Sequence, residues 1–356
     1  MSTGSIDASG PGHAAVAAEV DQRGPAAVLG PGAYRGRPHE MFSALRGMGR
    51  ELWQDKAGFA GLVILVLLAL MAIFAPWIAP YDPGKGDLFA KLDPPVWQEG
   101  GSWDHILGTD HLGYDVLSRL IHGARVSLTV GVSVVLLAGG FGVFMGLLAG
   151  YRGGRTDAFI MRWIDTQIAF PGLLLALLIL AVVGPSMITV IIVLAINGWM
   201  VYGRMTRGIV LSVRQLPYVE AAEMVGCSGP RVVFRHILPN LTSPLLTLAI
   251  LEFARIILAE AALSFLGLGV QFPETSWGLD VARGETLMAV AWWPITIPGV
   301  AIAVTVLAVN MLASWARITS DPQEREKRFA RQLAAREKRR ERRERRLGVR
   351  PAGVRP

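Results

Sequence analysis

Cysteine occurs once in the 356 residues, at Cys227, and lysine five times, at Lys56, Lys85, Lys91, Lys327 and Lys338. A single thiol excludes an internal disulfide framework and a thiolate metal cluster, so Cys227 reads as a small packed residue. None of the lysines closes a G-x-x-x-x-G-K-[ST] loop, and the chain therefore cannot hydrolyse ATP in that way. H-E-x-x-H, G-x-S-x-G and C-x-x-C are absent too, which leaves enzymatic activity without support. His105, His111 and His122 share one segment, but spacings of six and eleven make no convincing metal site. Charge is also scarce. Charged residues make up 18% of the chain, where soluble domains run near about 25%.

What is present is apolar. Hydrophobic residues reach 52% and the mean hydropathy is +0.42, which indicates a membrane protein. Ala57 to Tyr81 and Val126 to Tyr151 carry no charge, nor do the 38 residues from Thr166 to Gly203. That last run is too long for one span of about 20 residues but suits two, joined at Gly184-Pro185-Ser186. Further runs cover roughly 241–268 and 290–316. The expected fold is an all-α membrane protein with six transmembrane helices, near 58–79, 127–149, 167–184, 187–204, 243–266 and 294–316. The 56 residues ahead of the first span are too long for a signal peptide and lack a short apolar core, so that span is expected to stay uncleaved.

Basic residues in short loops set the orientation. Arg152, Arg155 and Arg162 fall in one loop, and Arg207, Arg214, Arg231 and Arg235 in another on the same side. Residues 82–125 lie opposite, with four Lys/Arg against seven Asp/Glu; so do residues 272–288, with Arg283 against Glu274, Asp280 and Glu285. The basic side is read as the cytoplasm, with both termini on it.

Three regions follow: a cytoplasmic N-terminal tail over 1–56, a membrane domain over 57–320 and an Arg-rich cytoplasmic tail over 321–356. Residues 1–40 are rich in Gly, Ala and Pro and read as disordered, while 40–56 suit an amphipathic helix on the membrane surface. The C-terminal tail holds 14 Lys/Arg and 6 Asp/Glu, a net of +8, so the remaining chain nets −1. Its acids and arginines interleave at helical spacing, as a solvated helix touching anionic lipid headgroups would. It has no interleaved aromatics beyond Phe329, which argues against nucleic-acid binding.

Within the fifth apolar run lie Glu252, Arg255 and Glu260. Intramembrane ionisable residues are costly enough to be functional candidates. Glu252 and Arg255, three apart, suit either a structural pair or a place on the translocation pathway. Gly142, Gly146 and Gly150 form a small-residue face that lets two helices approach closely.

The stretch EAAEMVGCSGPRVVFRHILPN, Glu220 to Asn240, interrupts this apolar chain with polar residues. Pro217 suits a first helical turn and YVEAAEMV continues it. Gly226 is placed to end that helix in the left-handed conformation. Ser228 is expected as N-cap of a second helix, with Pro230 in its first turn and Pro239-Asn240 as its stop. The result would be a rigid helical knob between spans.

Glu220-Ala221-Ala222, then three residues, Gly226, nine residues, and a hydrophobic close that ends in Leu238-Pro239 resemble the EAA motif of ATP-binding cassette (ABC) importer permeases. His236 in RHILPN is similar to the dipeptide/oligopeptide/nickel (DppC/OppC-type) kind. HILGTDHLGYDVLSRLIHGARVSL (105–128), AGYRGGRTDAFIMRWID (149–165), LSFLGLGVQFPETSWG (263–278) and AWWPITIPG (291–299) resemble the same subgroup, and the resemblance runs from about 57 to 322. Tyr114 departs from it, standing where the family usually has Arg before Asp115. The Arg-rich tail departs as well.

The resemblance implies a type I permease bundle whose EAA loop, over 217–240, sits in a groove of an ATP-binding subunit. Glu220, Ala221, Ala222, Gly226, Arg231, His236, Leu238 and Pro239 would be the coupling residues. It implies as partners a second homologous permease, two ATP-binding cassette subunits that hold ATP and Mg, and an extracytoplasmic solute-binding protein. The chain itself would bind no cofactor and no metal. The implied location is the cytoplasmic membrane of a prokaryote. The implied cargo is di- or oligopeptides, with nickel complexes or other small solutes open. A membrane scaffold and a secondary transporter are the rival classes; no internal repeat supports the latter.

Overall fold

A computed structural model describes Leu52 and residues 55–320. The expectations for 1–40, most of 40–56 and the tail from 321 lie outside the described residues. The described chain is helical, with one isolated bridge between Thr109 and Asp115. In order, the helices are α1 (Lys56–Ile73), α2 (Ala75–Ile78), α3 (Val116–Arg152), α4 (Gly154–Ile168), α5 (Gly172–Val183), α6 (Met187–Arg214), α7 (Pro217–Met224), α8 (Gly229–Val232), α9 (Leu238–Phe265), α10 (Trp277–Glu285) and α11 (Trp293–Ser320). Helix starts follow local chemistry. Asp115 accepts from the Ser118 N–H at 2.7 Å, Ser186 from Thr189 at 3.1 Å and Ser276 from Leu279 at 3.3 Å, each satisfying an orphan donor of a first turn.

Each of the six expected spans corresponds to an apolar helix: α1, α3, α5, α6, α9 and α11. Among the described residues, α1, α3, α6 and α11 are long and apolar enough to cross a membrane alone. The expected third span, 167–184, needs correction. α4 runs to Ile168, the chain bends by 83° over Ala169–Pro171, and α5 has only 12 residues. Twelve residues rise about 18 Å, short of a hydrocarbon core of about 30 Å. Pro171 explains the break, because a proline disfavours helix at the residue before it. α9 has 28 residues, about 42 Å of helix, and carries Glu252, Arg255 and Glu260 within its length.

The glycine stripe is the seam between α3 and α6, the most extensively packed pair of helices. A methyl group on Gly142 would strike the Trp199 carbonyl; on Gly146 it would lie 2.6 Å from the Gly203 carbonyl, and on Gly150 2.8 Å from Val210. Hydrogen instead of Cβ therefore sets this approach. The amphipathic α4 is clamped to α6 by charge. Arg207 grips Asp157 through two bonds of 2.5 and 2.6 Å, and Arg204 pairs with Asp165. Such a forked guanidinium–carboxylate pair fixes geometry as well as adding energy.

Residues 79–115 form a long connection closed by long-range bonds. Trp293 Nε1 donates to the Thr109 carbonyl and the Tyr81 N–H to the Ser118 hydroxyl, both at 3.0 Å. Separately, Trp277 Nε1 on α10 donates to the Leu120 carbonyl on α3 at 3.0 Å. Deeper in the bundle, Glu260 is 1% exposed and accepts from Ser127 on α3 at 3.0 Å and from Ser264 at 2.7 Å.

Candidate functional site

α7 begins at Pro217, whose missing N–H costs nothing in a first turn. It ends in two bonds: Cys227 N–H donates to the Ala222 carbonyl at 3.1 Å, and Gly226 N–H to the Glu223 carbonyl at 3.0 Å. This is the Schellman arrangement, with Gly226 at the left-handed position, φ +84°. A Cβ on Gly226 would meet nothing within 4 Å, so backbone conformation alone calls for glycine there.

The second half differs from expectation. Ser228 takes the N-cap position of α8 without a side-chain bond, and Pro230 occupies the first turn. Pro239-Asn240 does not stop the helix. Val233–Ile237 form a π-helical turn, closed by Leu238 N–H to the Val233 carbonyl, and α9 continues from it. Residues 229–265 are thus one uninterrupted helical rod. A proline ring inside an α-helix clashes with the carbonyl four residues earlier. The widened turn ahead of Pro239 brings the chain to it as a first-turn residue instead.

The knob has an inner and an outer face. Val219, Val232, Ile237 and Leu241 are fully buried and pack with Leu147, Val210 and Val213 at the ends of α3 and α6. Glu220, Ala221, Gly226, Arg231 and Pro239 are exposed; Ala222, His236 and Leu238 are half-buried. Met224 and Val225 are 81% and 85% exposed at the tip, and Phe234 is exposed nearby. Sequence reasoning missed three supports of this knob. Tyr151 at the end of α3 packs its ring against Gly229, Glu223 lies beside its hydroxyl, and Arg214 lies 5.6 Å above the ring. Asn240 and Tyr218 are the other two: the Asn240 amide donates to the Tyr218 hydroxyl and to the His236 carbonyl.

The three intramembrane charges lie apart from the knob and do not form one site. Glu252 is buried and accepts from Arg255 Nε at 2.8 Å, while Arg255 is half exposed. Glu260 keeps to its serines. A cavity of about 750 Å³ between α1, α3, α9 and α11 is lined by Arg125, Thr129 and Ser133 among largely apolar side chains, and by none of those three residues.

On the far side of the bundle, Arg119 and Asp280 form a buried ion pair that also engages Thr275, at 2.8 Å from Arg119 Nη2. Tyr114, the departure from the family pattern, places its ring 5.1 Å from this guanidinium. Burial pushes the Asp280 carboxyl above its usual range, and Arg119 beside it opposes that shift. Burial and the neighbouring Arg119 lower Arg283.

Residues 142–325, just over half of the chain, match the family described as binding-protein-dependent transport system inner membrane component. Residues 43–95 match the N-terminal TM domain of oligopeptide transport permease C. A di/tripeptide transport system permease protein DppC of Pseudomonas aeruginosa is 42% identical over 277 residues, covering 77% of this chain and 91% of that protein. The dipeptide transport system permease protein DppC of Escherichia coli K12 is 44% identical over 77% of this chain and 92% of its own length. That of Haemophilus influenzae is 36% identical over 77% of this chain and 94% of its own length. The chain belongs to the binding-protein-dependent transport system inner membrane components, as an ABC importer permease of the DppC/OppC type.

Proposed function

We propose that the chain is one permease subunit of an importer that moves di- and oligopeptides across the cytoplasmic membrane, driven by ATP hydrolysed on separate subunits. The observation that carries the coupling is the knob: a rigid element whose apolar rear is locked to α3 and α6 and whose Glu220, Ala221, Met224 and Val225 face outward. Exposed apolar residues on a fixed element suit docking to a protein groove. The small alanines allow close approach. Because 229–265 is one rod, a push on the knob is delivered directly into α9, whose Ala249, Ile250 and Phe253 line the large cavity.

The partners in this reading are a second homologous permease, two ATP-binding cassette subunits holding ATP and Mg, and an extracytoplasmic solute-binding protein. Both chain termini and the knob face the cytoplasm. The peptide cargo is supported by the names of the DppC relatives and by their near-full-length match. In a strain deleted for this gene, uptake of labelled di- and oligopeptides falls to background and returns on complementation. Unchanged uptake across a peptide panel would remove the peptide assignment.

A further inference from the structure

Two cavities meet at one cation. The large cavity described above has walls of Leu65, Val132, Leu136 and Phe253. A second, of about 450 Å³, lies toward the 79–115 side and is lined by His122, Met187, Pro273, Glu274 and Thr275. Arg125 and Thr129, one turn apart on the same face of α3, line both. Pockets for small molecules run to about 300–1,000 Å³, so each space is of ligand size.

The polar groups here are unequally committed. The Thr129 hydroxyl donates to the Arg125 backbone carbonyl at 2.6 Å, and the Thr275 hydroxyl is engaged with Asp280 and Arg119. The Arg125 side chain is exposed and makes no hydrogen bond or ion pair with a described residue. It is the last charge before the uncharged run from Val126 to Tyr151. A cation at the edge of so apolar a helix needs an anionic partner or water. Glu274, also exposed and unpaired among the described residues, stands on another wall of the same cavity.

We propose that Arg125 and Glu274 receive the two ends of a short zwitterionic peptide at the mouth of the pathway. The guanidinium takes the C-terminal carboxylate in its fork, and the Glu274 carboxylate takes the α-ammonium. This rests on the peptide-importer reading above. The lining residues then divide by task. Charge at the mouth reads the constant ends of any peptide, and the adjoining apolar groove accepts varied side chains.

The test is dipeptide transport by the full importer in proteoliposomes, read as peptide moved per ATP hydrolysed. Arg125→Gln and Glu274→Gln each lower that yield about tenfold, the scale of one lost charge-assisted pair. Arg125→Lys, which keeps the charge but loses the fork, recovers only part of it. If uptake and ATP hydrolysis fall in step, Arg125 serves the fold or a lipid phosphate, and the inference is overturned. If the wild type moves dipeptide and Arg125→Gln moves it at equal yield, this inference alone fails. If the wild type moves no dipeptide while another solute is carried, the peptide reading fails first and this one with it.

Discussion

The Asn240 side-chain amide donates a 3.0 Å hydrogen bond to the Tyr218 hydroxyl, fastening α7 to the first turn of α9. The same amide donates to the His236 carbonyl at 2.6 Å, inside the π-helical turn. The knob is therefore tied to the membrane helix at its base as well as through the chain. Asn240→Ala removes both bonds at a cost of about 1–2 kcal/mol of local stability. Hydrogen exchange of amides in 217–240 should speed up correspondingly while the α3–α6 seam keeps its protection. Unchanged exchange in the knob would show that the tie is idle.

Gly226 is required for its backbone angle and not for space. Gly226→Asn, which tolerates the left-handed region, should leave the thermal midpoint of the purified protein near wild type. Gly226→Val should cost about 1–3 kcal/mol at this turn. Equal midpoints for the two variants would contradict the Schellman reading.

The glycine seam makes a paired prediction. Gly142→Ala drives a methyl into the Trp199 carbonyl and should destabilise by about 1–3 kcal/mol. Gly140→Ala, two residues away with nothing within 4 Å, should be neutral or stabilising by about 0.5–1 kcal/mol. Thermal unfolding in detergent separates the two.

Asp280→Asn would leave Arg119 buried with its charge unanswered, at a cost of about 3–5 kcal/mol. The double replacement Arg119→Met with Asp280→Leu removes both charges and should recover most of that loss. A double variant no more stable than Asp280→Asn would rule out electrostatics as the cause.

The sequence made legible what local rules govern. Apolar runs marked the positions of α1, α3, α6, α9 and α11, the spacing of Gly142, Gly146 and Gly150 marked a seam, and Gly226 marked the end of α7. It misjudged Pro239, because proline stops a helix only if the turn before it stays α-helical, and Val233–Ile237 widen instead. It overextended α5, because hydropathy cannot register the bend at Pro171. Arg119 with Asp280, 161 residues apart, and Tyr151 with Gly229 were not legible, since tertiary packing alone brings them together. In the knob, EAA and Gly226 were readable as a pattern, whereas Asn240 and Tyr218 carry no local signal of their shared bond.

The central claim is that the knob passes work from ATP-binding subunits into α9, and Glu220 tests it most directly. Its side chain is exposed on α7, so replacing it leaves the packed rear of the knob intact. In membranes holding wild-type amounts of the protein, Glu220→Arg should reduce peptide uptake to background. Wild-type uptake by Glu220→Arg would contradict the account.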